Sequence, residues 1–137
     1  MGACEQRRSP SRYLIPKGYV GWVRIDFNVS SAPLLEKEAG YWNFTFPESG
    51  KIQTSSEMEY GAANDEYYYF DGDSRSSLKQ TGWGGGGLIW GGFNGKSEGK
   101  AQHVYQYFFV GTEAQLREFG MKSKDQDGHP AVGNLDL

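Results

Sequence analysis

The chain has 137 residues, one cysteine and a formal net charge of −3, with 14 basic and 17 acidic side chains. This length predicts one domain. The charge provides no basic face for nucleic acid, and one cysteine excludes an internal disulfide framework. No apolar run approaches the roughly 20 residues that cross a bilayer, so membrane contact is expected only through a lipid anchor. Nine tyrosines, eight phenylalanines, four tryptophans and 20 glycines favour an all-β domain with an aromatic core.

Residues 1–11 are polar, contain Pro10, and are predicted to form a flexible tether. Within them, Gly2-Ala3-Cys4 matches the small-small-Cys ending of a bacterial lipoprotein signal, in which the cysteine becomes the lipidated first residue. Myristoylation of Gly2 is a second interpretation, but its motif requires Ser or Thr where Gln6 stands. A third is an unmodified thiol. The sequence predicts lipidation of Cys4 and leaves open whether Met1 is the native start.

Strand patterns begin at Tyr13–Ile15, which ends at Pro16. Residues 19–27 then alternate strictly, which predicts one buried face and one wet face. The predicted buried side chains are Tyr19, Val23, Ile25 and Phe27, and the predicted outer ones are Trp22, Arg24 and Asp26. Residues 41–46 form the next predicted strand, and after the Pro47–Gly50 turn Lys51–Ser55 is predicted to return as its hairpin partner.

The second half of the chain continues these patterns. Asp65–Asp71 predicts a strand, and Leu88–Phe93 with His103–Val110 predicts a hairpin. Thr112 and Gln115 have capping-box spacing, so a short helix is expected to end at Gly120. The predicted organisation is a tether over 1–11, an antiparallel, transthyretin-like or similar β-sandwich with one short C-terminal helix over 12–120, and a disordered tail over 121–137.

Between Thr81 and Gly92, seven of twelve residues are glycine and two are tryptophan. Each glycine costs a helix about 1 kcal/mol relative to alanine, which excludes a helix here. The pattern suits a loop entering a strand whose backbone is approached closely. The spacing Gly82-x-Gly84-x-x-Gly87 matches a dinucleotide fingerprint, but a strand-like segment follows where a helix is required. No cofactor is predicted.

Exposed aromatic rings beside polar groups form platforms for sugars or for another chain's apolar residues. Successive residues of a strand point to opposite faces, so part of Tyr67-Tyr68-Tyr69-Phe70 is expected to be exposed. The predicted ligand or partner surface consists of Trp22, Tyr67, Tyr69, Trp83 and Trp90, with Gly84, Gly85, Gly86 and Gly87 allowing close approach. The alternative is that these rings form the core.

Asp65, Asp71 and Asp73 bracket the tyrosine strand with oxygen ligands that suit calcium. Acidic residues at strand ends are also ordinary solvated turns. No catalytic residue is predicted. A hydrolase is the remaining alternative, and it would need His103 beside a carboxylate such as Asp26 or Glu113.

Four segments together resemble a bacterial family of uncharacterised proteins whose members often carry a lipoprotein-type signal just upstream. They are Arg12–Val23 (RYLIPKGYVGWV), Thr54-Ser55-Ser56, Asp65–Tyr69 and Gly82–Gly91 (GWGGGGLIWG). The stretches 18–27 and 40–50 are also similar to transthyretin-like (prealbumin) sandwich modules. Neither resemblance carries an assigned function, and a shared fold would not supply one.

The combined prediction is a non-enzymatic, envelope-associated domain, periplasmic or on the outer surface, that acts in binding or assembly. Its expected partner is an envelope protein or a polysaccharide. The alternative is a secreted carbohydrate- or calcium-dependent binding module.

Overall fold

A computed structural model describes residues 8–59, 61, 63–79, 86–97, 103–120 and 128–135. Within them the chain forms two β-sheets that pack face to face through aromatic side chains. The first sheet contains β1 (Ser11–Pro16), β3 (Glu36–Glu38), β4 (Tyr41–Thr45), β6 (Glu66–Asp71) and β7 (Ser74–Leu78). The second contains β2 (Gly21–Phe27), β5 (Lys51–Gln53), β8 (Ile89–Ser97) and β9 (His103–Val110). The predicted β-rich fold with a short C-terminal helix is confirmed.

Both sheets are mixed, whereas the sequence predicted antiparallel pairing throughout. The first has the order β3-β4-β1-β6-β7, and β1 runs parallel to both β4 and β6. The second has the order β5-β2-β9-β8, and β2 runs parallel to β5. The remaining strand pairs, including the predicted β8–β9 hairpin, are antiparallel.

The predicted hairpin between residues 41–46 and 51–55 is wrong. The turn itself forms, since the Gly50 amide donates to the Pro47 carbonyl at 2.9 Å. The chain then leaves the first sheet, and β5 pairs with Arg24–Asp26 of β2 in the second. A turn pattern fixes a change of direction, but it does not determine which sheet receives the next strand.

The core lies between the sheets, and half of its buried side chains are aromatic. The predicted inward face of residues 19–27 is confirmed, because all four of its members are buried. The predicted wet outer face is wrong, because Trp22 and Arg24 are half-buried and Asp26 is buried. The buried core side chains include Tyr13, Ile15, Tyr19, Val23, Ile25, Phe27, Phe44, Phe46, Tyr67, Val104, Phe108 and Val110.

The C-terminal region packs on the outer face of the second sheet. Helix α1 (Glu113–Gln115) has both hydrogen bonds of the predicted capping box and continues as a π-helical segment over Leu116–Gly120. Residues 128–135 lie beside β2, where the Leu135 amide donates to the Val20 carbonyl at 2.8 Å. The predicted domain boundaries stay predictions. The same holds for the predicted disorder of the tail, within which Gly133 and Leu135 donate backbone hydrogen bonds to Trp22 and Val20.

Candidate functional site

A cavity of about 250 Å³ lies between the two sheets, at the end where β1, β4 and β6 begin. We call it the inter-sheet pocket. Aromatic and aliphatic side chains make up just over half of its lining, and most of the others are polar or charged. The lining residues used below are Arg8, Tyr13, Leu35, Trp42, Glu57, Glu59 and Tyr67.

The pocket wall is built around Tyr13. Its ring stacks on Phe44 with centroids 5.0 Å apart and on Tyr67 at 4.9 Å, and it meets the edge of Phe108 at 5.2 Å. The first two contacts follow from register, because Phe44 and Tyr67 are the direct partners of Tyr13 on the two flanking strands. Each ring orients its neighbour, so the wall is largely preformed.

The hydroxyl groups in this wall stay neutral at physiological pH. Burial raises the pKa of Tyr13 and of Tyr67 well above the usual range for tyrosine. The Trp42 indole nitrogen is also buried, and it has no hydrogen-bond partner among the described residues. Buried donors are normally paired, so this N–H is an unused polar group on a residue that lines the pocket.

The rim holds a cation that is already neutralised. Arg8 binds Asp65 through two parallel contacts, Nη1 to Oδ1 at 2.8 Å and Nη2 to Oδ2 at 2.5 Å. The same carboxylate accepts from the Ser11 amide at 2.8 Å, which fixes it at the start of β1. Glu57 and Glu59 are exposed, and Glu59 accepts from the Ser9 amide. The rim therefore offers no uncompensated positive charge from these residues.

The predicted aromatic surface is divided between different parts of the molecule. Tyr67 is 9% exposed and lines the pocket, and half-buried Tyr69 donates from its hydroxyl to the Tyr19 carbonyl at 2.7 Å. Trp90 is 5% exposed, and its indole donates to Gly111 at 2.7 Å. Half-buried Trp22 donates to Gly120 at 2.7 Å. These four rings do not form one exposed surface.

Strand parity explains the correction for β6. Register with Tyr13 turns Tyr67 and Tyr69 inward, so Tyr68 and Phe70 face outward and were missed. Of the predicted glycines, Gly86 is exposed and Gly87 is buried. Trp83, Gly84, Gly85 and Cys4 lie outside the described residues.

The outward side of the first sheet carries a polar aromatic cluster, which we call the Glu66 cluster (Arg12, Tyr41, Glu66 and Tyr68). The Glu66 carboxylate accepts from Arg12 at 3.1 Å, Tyr68 at 3.0 Å and Tyr41 at 3.3 Å. Burial raises the pKa of Glu66, but these hydrogen bonds and the Arg12 charge outweigh burial and lower it overall. In the sequence, the alternation of Glu66 with Tyr68 along the strand could have indicated this cluster.

The predicted calcium ligands are separated by the whole of β6. Asp65 precedes this strand, and Asp71 ends it. At about 3.3 Å per residue the two are roughly 20 Å apart, too far to share a cation. Asp65 is also committed to Arg8, while Asp71 and Asp73 are exposed. The described residues contain no cluster of three or more potential metal ligands.

The hydrolase alternative gains no geometric support. His103 pairs with Ser97 through the backbone, and its side chain lies outside the described atoms. The Asp26 carboxylate is paired with Arg24 at 2.8 Å.

In the part of the chain that the structure describes, no helix has the length and apolar character needed to cross a membrane.

Comparisons with known proteins show which family the chain belongs to. A crystal structure described as "Putative Lipoprotein from Bacillus anthracis" is similar to it, with a TM-score of 0.66 and 27% sequence identity over 81% of this chain and 76% of the other. No curated protein matches significantly. The transthyretin-like resemblance stays a prediction. Residues 7–119 match the family described as "Family of unknown function (DUF6843)". Because this match spans most of the 137 residues, the chain belongs to that family of unknown function.

Proposed function

We propose that this protein is a non-enzymatic binding domain of the bacterial envelope, anchored through a lipid on Cys4. The single observation that carries the anchor is the likeness to a protein described as a lipoprotein, which extends over 81% of the chain. The Gly2-Ala3-Cys4 segment supports it, because it supplies the residue type that such anchors modify. Residues 5–7 and the following polar residues would separate the anchor from β1.

The inter-sheet pocket is the ligand site of this proposal. It is concave, its walls come from both sheets, and a few polar groups meet an aromatic lining, as is usual in small-molecule sites. Its described lining residues include serines and carboxylates but no histidine or cysteine. The concave shape and the mixed apolar and polar lining support a binding role.

The anchor is tested on the gene product expressed with its own upstream sequence in its own host. We expect the wild-type protein in the detergent phase after phase partition, with a lipid adduct on the peptide that contains Cys4. The Cys4→Ser variant should move to the aqueous phase. A free Cys4 thiol on a wild-type protein in the aqueous phase would contradict the anchor.

A carbohydrate-binding module is the second candidate, and the Glu66 cluster favours it. Two tyrosines flank a charged pair on an open sheet face, an arrangement in which rings can stack on sugars and polar groups can bind hydroxyls. A thermal shift with a panel of oligosaccharides tests this role. A shift in the wild type that Tyr68→Ala abolishes would support it, and no shift at millimolar ligand would argue against it.

A further inference from the structure

We propose that the inter-sheet pocket binds an uncharged small molecule that carries an aromatic ring and an oxygen acceptor, and that the Trp42 indole N–H donates to this oxygen. The inference rests on the proposed function only in taking the pocket as the ligand site. It does not depend on the lipid anchor. Three properties of the pocket carry it: its size, its charge and its unpaired donor.

The size of the pocket limits its ligand to a ring with a short substituent. An engineered apolar cavity of about 150 Å³ is large enough to bind benzene. The inter-sheet pocket measures about 250 Å³, which leaves room beyond one ring for a few further atoms. A folded partner could not enter a space of this size between two sheets, whereas a free small molecule could.

The charges around the pocket favour a neutral ligand. Arg8 is held by both oxygens of Asp65, so it is not available to neutralise a bound anion. The exposed carboxylates of Glu57 and Glu59 add negative potential at the rim. Lys37 adds one positive charge near the rim, where its Nζ donates to Ser9 at 2.9 Å. The two carboxylates outnumber it, and a buried charge is costly without a partner, so carboxylates and phosphates are disfavoured. A cation would meet the exposed carboxylates only at the rim. Inside the pocket it could not stack on Tyr13, because both faces of that ring are occupied by Phe44 and Tyr67.

The unpaired indole nitrogen identifies the polar part of the ligand. Trp42 shares the inward face of β4 with Phe44, its backbone amide donates to Pro10 at 2.9 Å, and Lys37 Nζ lies 4.7 Å from its ring centroid. These contacts hold the ring in place but leave the N–H without an acceptor among the described residues. Asn43 also has an unpaired oxygen, but it points to the opposite face of the sheet. A ligand oxygen beside Trp42 would satisfy a donor that is otherwise buried unpaired.

Nitrogen-15 NMR titration of the full 137-residue chain tests this inference with four probes of similar size. Acetophenone has a ring and an acceptor, ethylbenzene has only the ring, benzoate adds a negative charge, and benzyltrimethylammonium adds a positive one. We expect acetophenone to bind about fivefold to tenfold more tightly than ethylbenzene, as one net hydrogen bond implies. The Trp42 indole proton should move downfield with acetophenone alone. Both charged probes should bind more weakly than ethylbenzene.

Two matched pairs of proteins complete the experiment. Trp42→Phe removes the donor, so it should retain ethylbenzene binding and lose the preference for acetophenone that the wild type shows. Leu35→Trp fills the pocket and should abolish binding of both, whereas Leu34→Trp changes an adjacent side chain that is 72% exposed and should leave binding intact.

Several results would overturn the inference. Equal affinity for acetophenone and ethylbenzene, with no shift of the indole proton, would show that Trp42 does not bind a ligand oxygen. This comparison uses only the wild-type protein, so it does not depend on a variant that folds. Binding that survives Leu35→Trp would show that the ligand binds outside the pocket, and tighter binding of either charged probe would show that the site does not prefer an uncharged ligand. A lipidated protein that binds none of these probes would refute this inference and leave the anchor standing.

Discussion

The two outward sheet faces carry similar residues and have different surroundings. On the first sheet, the Glu66 cluster is half-buried, and its polar groups bind one another. On the second, Trp22, Phe109 and Trp90 form a row across three strands, and Leu116 packs against this row. The C-terminal residues therefore convert one outward face into a second small core and leave the other open.

This difference shows that an aromatic ring on an outward strand position does not by itself indicate a binding surface. Trp22 and Trp90 satisfy their indole nitrogens with the carbonyls of Gly120 and Gly111 at 2.7 Å, so they are paired as core residues are. Trp42 on the inner face has no such partner among the described residues. The hydrogen bonding of the indole separates structural tryptophans from a candidate ligand contact better than strand position does.

The largest expected effect is on the covered face. Trp90→Ala removes a buried ring and should lower the free energy of unfolding by about 3–5 kcal/mol. Chemical denaturation measures this loss. Tyr68→Ala, on the open face, is the matched control and should cost much less. Similar losses for the two variants would mean that the two faces are equally buried.

Removing residues 128–137 should have the next largest effect. The deletion removes backbone bonds from Gly133 to Trp22 and from Leu135 to Val20, as well as the Asn134 side-chain bond to the Val20 amide. At about 0.5–1.5 kcal/mol per net hydrogen bond, partly offset by regained chain entropy, we expect a loss of about 1–3 kcal/mol. Denaturation measures this loss. An unchanged free energy of unfolding would show that the segment does not stabilise the domain.

A smaller, pH-dependent effect is expected on the open face. The pKa of Glu66 is lowered in the folded protein, so its contribution is present above the unfolded pKa of about 4.3 and is lost as the pH falls through the folded value. Glu66→Gln should therefore be less stable than the wild type at pH 7, by at most about 1 kcal/mol. The difference should shrink as the pH falls from 7 to 3. Urea denaturation at both pH values tests the sign, and a difference that grows on acidification would contradict it.

The smallest effect is expected at Leu34, which is 72% exposed. Leu34→Ser should change the free energy of unfolding by no more than about 0.5 kcal/mol, because it disturbs no packed contact. Chemical denaturation of this variant is compared with that of Leu35→Ser, because the Leu35 side chain packs against the core. A large loss at Leu34 would show that this residue is covered in solution.

Local patterns in the sequence predicted local structure well. The alternation over residues 19–27 identified the buried face of β2, and the Thr112–Gln115 spacing identified the capping box. Both depend on neighbouring residues, so they can be read from the chain directly. The short strands β3 and β7 were missed because their charged and serine-rich sequences carry no apolar alternation.

The missing information concerned partners that are distant in sequence. The register of β6 with Tyr13 decides which side chains of β6 face outward. The residues that cover Trp22 lie more than 90 positions later in the chain. The inter-sheet pocket has the same origin, since Arg8 and Asp65 meet only after β1 enters the first sheet. Alternation gives two possible faces for a strand, but it does not state which face the rest of the chain will cover.

The position of β1 has a mechanical consequence. The strand nearest the N-terminus lies between two parallel neighbours, with Arg12–Pro16 paired to β6 and Ser11–Leu14 paired to β4. A pulling force transmitted through the N-terminal segment would act along this strand and load the hydrogen bonds of both ladders together. The Arg8–Asp65 pair would be the first contact to bear that force. A domain tethered at this end would be held by a strand that is bonded on both sides, so tension should straighten the tether long before it unfolds the sheet.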